Sequence, residues 1–174
     1  TREEACAILA ASLKAKVLAF TRGETYQFLE AKLGSLKDGS PVSWRLADIE
    51  AGVIKTPEGN LWLAFGSFWS GLKLIQLDPT NGRRLAADSH LHSLAQHKPI
   101  EAPYLYRHGE FYYLFVNWGT CCRGVDSTYN IRVGRSRQIT GPYLDKEGMD
   151  LLEGGGTLLL STDGKFIGPG PAGI

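Results

Sequence analysis

The sequence predicts an all-β chain with a helical segment at its N-terminus. Three observations carry this expectation. Short aromatic and branched runs recur between glycine-bearing turns after residue 45. A hairpin-sized unit occurs twice in the chain. The 21 glycines among 174 residues suit a turn-rich β protein better than a helical bundle.

Residues 1–20 carry an amphipathic pattern, and Thr1 with Glu4 forms a capping box. Arg2 is followed at once by Glu3 and Glu4, and Lys14 and Lys16 come after the first apolar stretch. A signal peptide has the opposite order, so no convincing leader is read here, a damaged or truncated leader being the alternative. Through GSLKDGSP (34–41) the pattern is loop-like. We therefore divide the chain into a helical and loop segment, 1–45, and a β domain, 46–174.

The strands follow in order. Leu61 to Phe65 is an apolar run after the turn Pro57-Glu58-Gly59-Asn60. Leu72, Leu74 and Leu77 lie in a mostly alternating run, and Phe111 to Val116 follows His108-Gly109-Glu110. Tyr129, Ile131 and Val133 alternate with Asn130, Arg132 and Gly134. Runs this short are strands rather than buried helices. The string Ile49-Glu50-Ala51 opens one unit and Ile100-Glu101-Ala102 opens another. Each continues as strand, glycine turn, aromatic strand and a loop with Gly and Trp. A repeat of about 50 residues made of successive hairpins has the size of a β-propeller blade.

Composition excludes several functions. The formal net charge is +1, with 43% hydrophobic and 21% charged residues. No single-sign field marks a nucleic-acid or anionic-membrane partner. No apolar run approaches the roughly 20 residues that span a bilayer. Cys121 and Cys122 are adjacent and Cys6 is distant. Neighbouring cysteines rarely meet the geometry of a disulfide, and no second pair completes a zinc pattern. Buried thiols beside a loop are expected there.

The repeat has a chemical consequence. Equivalent positions of neighbouring blades face one axis, which directs Glu50 and Glu101 into a common cavity. Glycoside hydrolysis needs two such carboxylates, one protonating the leaving oxygen and the other activating water or tuning its partner. The alternative is a pair of exposed or arginine-paired glutamates at strand starts.

Residues 48–170 resemble the endo-arabinanases of glycoside hydrolase family 43. The strings that carry the resemblance are FGSFWSGLKLIQLD (65–78), IEAPY (100–104), CCRGVDSTYNIRVGRS (121–136), ITGPY (139–143) and EGGGTLLL (153–160). The resemblance implies a five-bladed propeller, of which this chain carries an incomplete part. It also implies inverting hydrolysis of α-1,5-linked L-arabinan or arabino-oligosaccharide, outside the cell. Glu101 matches the family's general acid. Glu50 matches the carboxylate that modulates and orients the acid, where the family has Asp. The added methylene displaces the carboxylate by roughly 1.5 Å, and such a displacement costs about a hundredfold in rate. Ala47, Asp48, Ile49, Ser67, Phe68 and Trp69 match substrate-binding positions. Aromatic faces stack on sugar C–H surfaces and small polar groups bind the hydroxyls. Trp118, placed in the equivalent loop of the next repeat, and Arg123, in the long Gly119–Thr128 connection, join the substrate-binding set. For Trp69 and Trp118 the alternative is core packing, and for Arg123 it is pairing with Asp126.

Three further departures from the family pattern stand out. Residues 1–45 hold no match to the blade that carries the base aspartate. The family's Gly-Pro-Gly-His string is here Gly168-Pro169-Gly170-Pro171. Proline has no side-chain ligand, so no metal residue is assigned and the family's axial calcium is not expected from this string. The four histidines, His90, His92, His97 and His108, are read as loop or turn residues. Two repeats cannot close a ring, so the remaining blades are expected from a longer chain or another subunit. The sequence thus points to an arabinan hydrolase, weak or inactive as this chain alone. The competing expectations are a non-catalytic carbohydrate-binding propeller fragment and a degenerate remnant.

Overall fold

The computed structural model describes residues 31–35, 41–44, 51–66, 68–80, 82–85 and 90–173, the first two stretches as backbone only. Ten strands are found in them, and among the described residues there is no α-helix.

Strands β3 (Ala51–Lys55), β4 (Leu61–Phe65), β5 (Leu72–Leu77) and β6 (His92–Ala95) form one antiparallel sheet in sequence order. Strands β7 (Ile100–His108), β8 (Phe111–Trp118), β9 (Asn130–Ser136) and β10 (Thr157–Leu160) form a second sheet of the same design. These are two β-propeller blades, each a four-stranded meander. The β3–β4 turn is closed by Thr56 N–H donating to Asn60 O at 2.8 Å and Gly59 N–H donating to Thr56 O at 2.9 Å. The β7–β8 connection has only Gly109 and Glu110 between the paired His108 and Phe111. Gly109 sits at φ +58°, the left-handed value that two-residue hairpin loops demand of their first residue.

The blades pack through alternating faces. Ala64, Leu72, Leu74, Leu94 and Ala95 of the first blade meet Ile100, Leu105, Tyr112, Leu114 and Val116 of the second in one buried cluster. Full burial of a leucine such as Leu114 contributes about 1.5–3 kcal/mol. The other face of the first blade carries its own cluster, Leu63, Ile75 and Leu77, with Leu61 and Phe65 against it. A sheet apolar on both faces is what an interior blade requires. The 3-10 turn Leu151–Glu153 ties the blades together, because Gln96 N–H donates to Leu151 O and Leu151 N–H donates to Tyr143 O, both at 2.9 Å. Tyr143 is fully buried and donates its hydroxyl to Ile139 O at 2.8 Å.

The innermost strands β3 and β7 approach closely. A Cβ added to Gly52 would stand 2.8 Å from Pro103 O. Glycine lets the two backbones come together at this point.

Some expectations are corrected. Over 31–44, where the sequence reads as the end of a helical and loop segment, β1 (Ala31–Ser35) and β2 (Pro41–Trp44) form an antiparallel pair. Asp38-Gly39 between them is a strong hairpin signal. The expected N-terminal helix, residues 1–20, lies outside the described residues. Trp118 is the last residue of β8, not part of the loop after it, and His92 and His108 belong to β6 and β7. Pairing with neighbouring strands extends these runs past the points where local pattern ends them.

Candidate active site

Glu101 is the second residue of β7 and is half-buried. It opposes Asn117 on β8, and the register shifts between Glu101 and Tyr104. Within that shift Ala102 takes φ +56°, which is costly for a residue with a Cβ, and Pro103 offers no N–H to the ladder. A bulge of this kind re-aims the side chains beside it, and bulges concentrate next to active sites.

Two loops grip the chain that leads into Glu101. Phe68 N–H donates to Ile100 O at 2.7 Å, and Gly119 N–H donates to Pro99 O at 3.2 Å. Gln96 Nε2 donates to Trp69 O at 3.4 Å. The first of these loops holds Phe68 at φ +45° and leaves Trp69 90% exposed. The two rings are 6.1 Å apart and tilted by 57°. Phe68, Trp69, Lys98 and Pro99 line a shallow, largely apolar depression of about 540 Å3. So much exposed indole beside an apolar depression is the opposite of a core aromatic.

Trp118 is placed differently. It is half-buried, with the His97 ring stacked on it at 3.6 Å and 6°. The Arg132 guanidinium lies 4.1 Å from its centroid, a cation–π contact. Arg132 also donates from Nε to Asn130 Oδ1 at 3.1 Å and from its terminal nitrogen to Gly156 O at 2.9 Å. Burial, and then the Arg132 charge, hold the His97 imidazole below its usual value.

Asn117 is fully buried and donates to Pro169 O at 3.3 Å and to Gly170 O at 3.4 Å. The Gly168-Pro169-Gly170 string is thereby anchored opposite Glu101. Motif spacing misses His97, Asn117 and Arg132. The available signal was an asparagine inside the apolar run Phe111–Trp118, since a buried polar residue in a strand needs a partner.

Of the remaining expected residues, Glu50, Ala47, Asp48, Ile49 and Ser67 lie outside the described residues. Glu50 directly precedes Ala51, the first residue of β3. Arg123 is exposed, and it meets Asp126 through the backbone, whose N–H donates to Arg123 O at 3.1 Å. No side-chain ion pair joins the two among the described residues. The expectation of buried thiols is corrected, because Cys122 is exposed and Cys121 half-buried at the start of this loop. Thr128 N–H donates to Thr120 O at 3.1 Å at the neck of this loop, and residues 122–126 at its tip are exposed.

The profile described as Glycosyl hydrolases family 43 matches residues 31–174. The chain belongs to glycoside hydrolase family 43. Within the family it is 44% identical over 135 residues to an extracellular exo-α-(1→5)-L-arabinofuranosidase of Cellvibrio japonicus, covering 70% of this chain and 39% of that protein. It is 50% identical over 117 residues to an extracellular endo-α-(1→5)-L-arabinanase of Bacillus subtilis, covering 65% and 35%. Its fold matches a Cellvibrio cellulosa α-L-arabinanase solved with arabinohexaose, with a TM-score of 0.63 and 36% identity over 81% of this chain and 52% of that one. The chain therefore spans about two-fifths of the length of these curated family 43 relatives.

Among the described residues, the Gly168–Pro171 string offers no side-chain ligand for a metal. Pro171 has no ligand atom in its side chain, and the carbonyls of Pro169 and Gly170 accept from the Asn117 amide. Among the described residues no three His, Cys, Asp or Glu side chains converge.

Proposed function

We propose that this chain is the acid-bearing part of an extracellular family 43 hydrolase that cleaves α-1,5-linked L-arabinan with inversion. The observation that carries the proposal is the bulged start of β7. It sets Glu101 at the strand end gripped by the Phe68–Trp69 loop. In the proposed reaction the Glu101 carboxyl protonates the departing glycosidic oxygen. A second carboxylate removes a proton from the water that attacks the opposite face of the sugar. Inversion places these two carboxyls about 6.5–9.5 Å apart, leaving room for the water. Trp69 offers its indole face to an arabinose ring in the depression beside Lys98. Glu50, directly before β3, takes the orienting role, and Ala47, Asp48, Ile49, Ser67 and Arg123 complete the sugar contacts. Trp118, already stacked on His97, supports the edge from beneath. No metal enters this scheme.

The base is assigned to sequence beyond the residues described here. Asp145 and Asp150 accept backbone N–H bonds from their own turns. The chain by itself is therefore expected to cleave weakly or not at all. The name of the C. japonicus relative describes exo action and that of the B. subtilis relative endo action, so the linkage is the shared expectation.

The test is reducing-sugar release from debranched arabinan, with Glu101→Gln beside the native chain. Activity abolished by Glu101→Gln supports the assignment, and activity unchanged by it refutes the acid role. A folded but inactive chain that still binds arabino-oligosaccharide points instead to a non-catalytic binding module. The open Trp69 face favours that second reading.

A further inference from the structure

The adjacent thiols of Cys121 and Cys122 stand 2.7 Å apart, sulfur to sulfur. This is well inside the van der Waals separation of two sulfurs and about 0.7 Å longer than a disulfide bond. Such an approach is unusual for neighbours in sequence. Successive side chains of an extended backbone point to opposite sides. Here Cys122 adopts φ +62°, a left-handed conformation unfavourable for a residue with a Cβ, and the turn brings both sulfurs to one side. The loop around them is held at its neck. Thr128 N–H donates to Thr120 O at 3.1 Å, Thr120 N–H to Thr128 Oγ1 at 3.0 Å, and Ser127 Oγ to Thr120 O at 3.0 Å. Gly119 at φ +93° packs against Thr128 where a side chain would collide. The backbone that brings the sulfurs together is thus set by contacts on both sides of the pair.

We propose that Cys121 and Cys122 are an oxidation site that closes to a vicinal disulfide in the presence of a low-molecular-weight disulfide. The exposed Cys122, as its thiolate, attacks one sulfur of the oxidant and releases one thiolate. The Cys121 thiolate then attacks Cys122 Sγ of the mixed disulfide and releases the second. The protein loses two hydrogens and the oxidant is reduced to two thiols. Adjacent Cα atoms are about 3.8 Å apart, short of the roughly 4.4–6.8 Å usual across a disulfide, so the ring is strained and readily reduced. Oxidation fixes the tip of the loop that leaves Trp118, at the strand end that carries Glu101. It is a modification distinct from the proposed hydrolysis and does not depend on it.

The test uses the native chain, incubated with excess oxidised glutathione, quenched with N-ethylmaleimide and digested with trypsin. Cleavage after Arg107 and after Arg123 releases residues 108–123 as one peptide holding both cysteines, while Cys6 leaves in another. The expected product is that peptide lighter by two hydrogens and carrying no maleimide. Dithiothreitol before quenching should restore two maleimide adducts. Two adducts after oxidation, a persistent glutathione adduct, or a cross-link to the Cys6 peptide would each overturn the proposal.

Discussion

Replacing Trp69 with alanine should separate binding from stability. The indole is 90% exposed, so the substitution removes about a tenth of the roughly 250 Å2 that a tryptophan can bury. At about 25 cal/mol per Å2 the loss of burial is under ~1 kcal/mol. The Trp69 carbonyl still accepts from Gln96, because that bond uses the backbone. Thermal unfolding should therefore move by no more than about 2–4 °C. If the ring is a sugar platform, its truncation costs about 1–2 kcal/mol of binding, a Kd higher by roughly 5- to 30-fold. Calorimetric titration with linear arabino-oligosaccharide reads the second quantity, and a melting curve the first. Unchanged affinity refutes the platform. A melting point lowered as far as a core substitution lowers it refutes the geometry on which the platform rests.

Four further outcomes are expected. Tyr143→Phe removes a buried hydroxyl donor and leaves Ile139 O without it, which should cost about 1–2 kcal/mol in urea unfolding. Gly52→Ala drives a Cβ against Pro103 O, so a destabilisation of about 1–3 kcal/mol should accompany a loss of sugar binding at the Glu101 end of β7. The Asp145 carboxylate accepts from Gly156, Met149 and Glu147 N–H groups, and these bonds, led by Gly156, hold its pKa below the usual carboxylate value. A depressed folded pKa gives stability present above the unfolded value of about 3.9 and lost as pH falls through the folded one. The melting-point gap between native and Asp145→Asn should accordingly be open at neutral pH and close in strong acid. His97 is also depressed, by burial and then by Arg132, so its contribution is present above about 6.5 and declines below it. Comparing His97→Phe with the native chain from pH 5 to 8 should show a native melting point that falls more steeply toward acid.

Both blades were legible in the sequence because their strands are short, aromatic and bounded by glycine turns. The runs Leu61–Phe65 and Leu72–Leu77 coincide with β4 and β5. Strand ends were less legible. His92, His108 and Trp118 look local, yet cross-strand pairing decides their state. The β1–β2 pair is hard to read because its strands are only five and four residues long, and Asp38-Gly39 falls inside the loop-like stretch 34–41. Residue identity likewise pointed to Glu101 and Trp69 but was silent on Asn117, His97 and Arg132. Those three act through contacts across distant segments, such as Asn117 with Pro169 and Gly170, which no local periodicity encodes.

The two tryptophans show why identity alone does not assign a role. Trp69 and Trp118 occupy comparable stretches of successive repeats, after aromatic strands and beside glycines. Trp69 follows Gly66, which turns the chain out of β4 at φ +116°, and its ring is left in solvent. Trp118 is still paired, opposite Ile100, when its side chain emerges, so the ring falls onto His97 and under Arg132. The difference is where the strand stops, by a few residues. A repeat can thus present one aromatic outward and seat its counterpart inward without changing residue type. In this chain that places the open ring on the first blade and the Glu101 carboxyl on the second, so a sugar held as proposed would bridge the two blades to reach both.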